Sequence, residues 1–74
     1  MKAKEMFEKL NYNYFKNNLR ITYQNFKVSR CKLIEFNLLE KEMWLADDDK
    51  EVVELSLKEI KAINKQVEEL GWNE

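Results

Sequence analysis

The chain has 74 residues, 36% charged and 45% hydrophobic, with 13 Lys or Arg against 14 Asp or Glu for a net charge of −1. A chain this short makes one domain, spanning 1–74, that buries only about 60% of the surface its unfolded form exposes, and its core supplies roughly 3–5 kcal/mol. There is no histidine, one cysteine (Cys31) and one glycine (Gly71), which removes the commonest general base, a cysteine zinc site and a glycine-rich phosphate loop.

In chain order, "AKEMFEKL" sets Ala3, Met6, Phe7 and Leu10 at i, i+3, i+4 and i+7, the spacing of one helix face. The opening "MKAKEMFEKL" alternates charged and apolar residues, unlike a secretory leader, and predicts a cytoplasmic protein. No apolar run approaches the roughly 18 residues of a spanning helix, so no membrane is expected as a partner. "NYNYFKNN" reads as a connecting segment whose Asn17 and Asn18 suit the positive φ of a turn. The period then becomes two. Leu19, Ile21 and Tyr23 share one face of a strand and Arg20, Thr22 and Gln24 the other. In "CKLIEFNL" Ile34, Phe36 and Leu38 point in, Glu35 and Asn37 point out, and Cys31 reads as a small apolar strand residue.

A charged turn at Glu40 and Lys41 leads to "MWLA", a third strand, and "ADDDK" is a polar turn before "EVVEL". Asp47, Asp48 and Asp49 lack the spacing and glycine of a calcium loop and read as a solvated turn, so neither a metal nor another cofactor is expected. In "ELSLKEIKAINKQVEELGW", Ser56 and Glu59 form a capping box, with Leu55 and Ile60 placed for a hydrophobic staple. Gly71 supplies a left-handed stop, and Trp72 folds back on Val67. Leu57, Ile60, Ile63, Val67 and Leu70 line the predicted apolar stripe. The expected fold is therefore α+β: an N-terminal helix, an antiparallel meander of three to four strands, and a C-terminal helix on one face of the sheet. Two such helices cover one face and leave the other open.

Charge is unevenly placed. Residues 1–33 carry eight Lys or Arg against two acids, and residues 34–74 carry five against twelve, a contrast of +6 with −7. In the basic half Tyr12, Tyr14, Phe15, Tyr23 and Phe26 alternate with cations, and Lys16, Arg20, Tyr23, Lys27, Arg30 and Lys32 form the candidate surface for a partner or nucleic acid. Cations neutralise phosphates and aromatic faces stack on unpaired bases. Equally, opposed charges attract one another within a folded monomer, and half the aromatics of a small sheet belong to its core.

The two ends, "AKEMFEKL" (3–10) and "LKEIKAINKQVEELGW" (57–72), resemble small uncharacterised proteins encoded by phages and prophages of Gram-positive bacteria. Where that family reads Leu-Gly-Tyr after its first helix, Leu10, Asn11 and Tyr12 stand here, with asparagine in place of a left-handed glycine. The resemblance implies an accessory protein of a mobile element, made in the bacterial cytoplasm. Without catalytic groups, it is expected to bind rather than catalyse. A host or phage protein is the first expected partner, nucleic acid held by segment 12–32 is the alternative, and a second copy of the chain is a further candidate.

Overall fold

A computed structural model of the chain describes residues 1–27, 30–47 and 52–72, with the backbone alone at residues 26, 27, 30 and 31. The elements are α1 (Ala3–Lys9), β1 (Asn13–Lys16), β2 (Arg20–Lys27), β3 (Arg30–Asn37), β4 (Glu42–Asp47) and α2 (Leu57–Leu70). The strands form one antiparallel sheet in the order β1-β2-β3-β4. This is the expected α+β meander, since short connections permit only antiparallel neighbours. Beyond Asp47, the expected acidic turn lies outside the described residues, as does the Cys31 side chain.

Both helices stop in the same way. Asn11 N–H donates to Glu8 O at 3.0 Å and Tyr12 N–H to Phe7 O at 3.1 Å; Gly71 N–H donates to Glu68 O and Trp72 N–H to Val67 O, each at 3.1 Å. Asn11 (φ 70°) and Gly71 (φ 73°) occupy the left-handed position that this double reversal requires. An aromatic residue follows each stop and turns back onto the core. The α2 start is the expected capping box, with Glu59 N–H donating to Ser56 Oγ at 3.1 Å and Ser56 N–H to Glu59 Oε1 at 2.8 Å.

Because Asn11 reverses the chain at once, the segment expected to be a connection holds β1, and Tyr14 pairs with Tyr23 across the ladder. Asn17 and Asn18 do not take positive φ; besides Asn11, Lys41 (φ 56°) does so among the described non-glycine residues. Asn17 builds its turn through its side chain instead, Oδ1 accepting the N–H groups of Leu19 and Arg20 at 2.8 and 2.9 Å. Asn37 repeats the device for Leu39 and Glu40, at 3.0 and 2.9 Å. Leu19, expected on the inner strand face, precedes β2 and is 54% exposed in the first of these turns.

The core lies between the helices and the sheet face of Ile21, Tyr23, Ile34 and Phe36, all nearly or fully buried, with Phe7 of α1 and Ala62 and Ile63 of α2 above them. Its rings run in sequence. Tyr12 meets Phe7 edge-on at 5.5 Å, Phe7 stacks on Tyr23 at 3.8 Å, and Tyr23 meets Phe36 at 6.2 Å, which in turn meets Trp72 at 6.2 Å. Each such pair contributes about 0.5–1.5 kcal/mol beyond the area it buries.

The α2 face is rotated from the expected stripe. Leu57 and Ile60 are 66% and 42% exposed, while Ala62, Ile63 and Gln66 are buried. At 3.6 residues per turn the displacement is roughly 90°. Its cause is that α2 packs on α1 as well as over the core side of the sheet. Three polar residues on the turned-in flank each receive a donor: Glu59 from Tyr12, Gln66 Oε1 from Tyr23 OH at 2.6 Å, and Glu69 Oε2 from Ala3 N–H at 2.8 Å. A buried phenol left unpaired costs about 1–3 kcal/mol, which favours this rotation over full burial of Ile60.

Three stability outcomes follow, each read by urea denaturation. Ser56→Ala lowers stability by about 1 kcal/mol, the usual loss of an N-cap. Tyr23→Phe lowers it by about 1–3 kcal/mol, because the Gln66 carbonyl loses its donor inside the core. Asn11→Gly leaves stability unchanged or raised and Asn11→Ala lowers it, since glycine accepts a left-handed backbone and alanine resists it; equal effects of the two substitutions would contradict the left-handed stop.

Candidate docking surface

The face away from the helices is set by strand register. Phe15, Thr22, Glu35 and Trp44 stand side by side across the four strands, one residue from each. Beside them lie Asn13, Gln24, Leu33 and Ala46 on one side, and Arg20, Asn37 and Glu42 on the other. The aromatics at the two edges are the large apolar groups of this row, Phe15 at 52% and Trp44 at 58% exposure. Three strand spacings of about 4.8 Å separate them, roughly 14 Å.

Between the aromatics the face is polar and internally paired. Thr22 Oγ1 donates to Glu35 Oε1 at 3.3 Å, and Arg20 Nη1 lies 3.4 Å from Glu35 Oε2. The Arg20 side chain stays 46% exposed, and a pair this open contributes about 0–1 kcal/mol. A depression of ≈ 100 Å³ lies beside Phe15 between Lys16, Asn17, Arg20 and Thr22. That is below the roughly 300–1,000 Å³ of small-molecule sites, so the face suits a broad contact better than an enclosed ligand.

The residues singled out in the sequence do not form one surface. Arg20 is exposed on the open face, and Lys16 is exposed at the β1 edge with its side chain on the helix side of the sheet. There Lys16 joins Lys2 and Lys4 around Tyr14 in a groove of ≈ 300 Å³, and Lys4 Nζ sits 4.9 Å from the Tyr14 ring centre. Tyr23 is 0% exposed and offers nothing to a partner. Lys32 shares the inward parity of Ile34 and Phe36, so its ammonium is drawn under α2. It lies 2.8 Å from Glu59 Oε2 and also donates to Glu54 O. The side chains of Lys27 and Arg30 lie outside the described residues; their backbones pair at the end of the β2–β3 ladder. Phe15 and Trp44 were not among the candidates, although their place opposite Thr22 and Glu35 follows once β1 is read as a strand.

Glu59 joins the basic and acidic parts of the chain. Burial alone pushes its carboxyl upward, but Lys32, the Ser56 amide and the Tyr12 hydroxyl together hold it below the usual carboxylate range. Tyr12 shifts the other way: burial, then the bond to Glu59 and that group's charge, push its phenol well above the ordinary value and keep it a donor. Burial does the same for Tyr23.

Among the described residues no three potential ligands gather as a metal site, and no helix is long and apolar enough to cross a membrane. No family model matches the chain, and comparisons with curated proteins and with solved structures find no match either.

The Glu59 contacts make stability pH-dependent. An unfolded glutamate titrates near ~4.3, and Glu59 in the fold titrates lower. Its contribution is therefore complete above that value and is lost as pH falls through the folded pKa. Between about pH 6 and pH 3 the wild type should lose more stability than Glu59→Gln, so that their urea midpoints converge. A constant gap between the two would mean that Lys32 and Tyr12 do not favour the ionised form.

Proposed function

We propose that this is a non-catalytic binding protein of a phage or prophage, working in the bacterial cytoplasm by docking the open face of its sheet on a host protein. The observation that carries this reading is the exposure of Trp44 and Phe15 on the one sheet face that neither helix covers. Large exposed aromatics supply much of the binding energy of a contact, and here they flank a polar centre of Thr22, Glu35 and Arg20 whose groups already pair with one another. The phage context rests on the resemblance of residues 3–10 and 57–72.

Nucleic-acid binding through segment 12–32 is the second reading, favoured by the cluster of Lys2, Lys4 and Lys16 around Tyr14. Against it, Lys32 is paired with Glu59, Tyr23 is buried and Arg20 is engaged by Glu35. That leaves fewer free cations on one surface than the composition suggested.

The test is affinity capture from a host lysate with the wild type and with Phe15→Ala/Trp44→Ala, both shown by circular dichroism to be folded. Docking predicts a discrete host protein, held by the wild type at physiological salt and lost from the double variant. Equal capture by both, or none by either, overturns the open face as the site. Retention of a labelled single-stranded oligonucleotide that weakens steeply with salt and with Lys4→Glu/Lys16→Glu would instead establish the second reading.

A further inference from the structure

The sheet has two edges, and they are unlike. β1 is four residues long and is bordered by the ammonium groups of Lys2, Lys4 and Lys16. Lysine at an edge is a common device that keeps other strands away. β4, six residues, is the last strand of the sheet and reads Glu-Met-Trp-Leu-Ala-Asp, with no lysine, proline or glycine. Glu42, Met43, Trp44 and Ala46 are all exposed. Among the described residues, no backbone hydrogen bond beyond the β3 ladder reaches Glu42–Ala46. An exposed edge strand presents a row of N–H and C=O groups that another strand completes.

We infer that β4 is the binding edge, and that its occupant is an extended, basic segment of a partner protein, added to the sheet as a fifth strand. This rests on the reading of the protein as a binding module and specifies the partner. The chemistry follows from the period of two. Glu42 and Trp44 point to the open face and Met43 to the helix side. A neighbouring strand therefore places a Lys or Arg opposite Glu42, an aromatic or β-branched residue opposite Trp44, and between them, on the other face, an aliphatic residue beside Met43. Glu40 in the preceding turn is also exposed, and with Lys41 between the two carboxylates the stretch 40–42 keeps a net negative charge that favours a cation. A second copy pairing antiparallel through its own β4 about Trp44 would set Glu42 opposite Ala46, leaving each carboxylate without the cation that a basic strand supplies.

The probe is the blocked octapeptide Thr-Lys-Val-Tyr-Val-Lys-Val-Thr, its counterpart with Glu for both Lys, and a Lys version with alternate N-methylated amides. Binding is measured by titration and located by amide hydrogen exchange. Expected are at least ten-fold tighter binding of the Lys peptide than of the Glu peptide, loss on N-methylation, and slowed exchange within residues 42–46. Trp44→Lys, and separately Glu42→Arg, abolish or weaken the binding while melting as the wild type does; Lys61→Ala, on the exposed side of α2, leaves it intact. The peptide-free protein stays monomeric in sedimentation. Failure of the Lys peptide to bind, equal binding of the two peptides, protection elsewhere than β4, or a concentration-dependent dimer that excludes the peptide would each overturn the assignment. If the lysate partner is nevertheless captured and lost with Phe15→Ala/Trp44→Ala, face docking stands and the edge alone is refuted.

Discussion

The fold depends on Tyr23. Its ring is stacked by Phe7 of α1, flanked by Tyr14 of β1 and met edge-on by Phe36 of β3, and its hydroxyl reaches Gln66 of α2. Five elements thus share one side chain at the middle of β2. A tyrosine serves here where phenylalanine would not. The phenol gives α2 a single preferred rotation, whereas an apolar ring would accept several that differ little in buried area. The same constraint explains why a helix with an evident apolar stripe leaves two members of that stripe in water.

Much of this was legible in the sequence, and the parts that were not have specific causes. The start and stop of α2, the turn at Glu40 and Lys41, and the parity of β2 and β3 each rest on local chemistry, which a sequence displays directly. The direction in which α2 faces is not local. It depends on α1 lying beside it and on donors from residues 12, 23 and 32, between 27 and 47 positions away from the residues of α2 that accept them. The polar flank was nevertheless visible: Glu59, Ile63, Gln66 and Leu70 recur at i, i+4, i+7 and i+11, a face that reads as mixed until each acceptor has a donor. β1 was hidden for a related reason. Four residues of mixed polarity carry almost no period, and only the reversal at Asn11 and the Tyr14–Tyr23 pairing define them as a strand.

The candidate surface was less legible than the fold because a cluster of cations along the chain does not say which face of the sheet each one takes. Lys32 has the parity of Ile34 and Phe36, and Tyr23 the parity of Ile21, so the rule that placed the core also removed both from the surface. The opposed charges of the two halves meet in part inside the protein. Glu59 takes Lys32 at 2.8 Å, and the carboxylate is held from the other side by the cap of α2. This one side chain ties the start of the last helix to the middle of the sheet, so losing it would loosen two elements together.

The contrast between the two edges of the sheet also bears on stoichiometry. A sheet open at both sides has a valence of two, and molecules that link head to tail through such edges grow into fibres. Here the lysines around β1 close one side, leaving a valence of one. Whatever strand β4 accepts, the sheet ends there, and a small protein with an exposed tryptophan on its edge strand can remain a discrete particle.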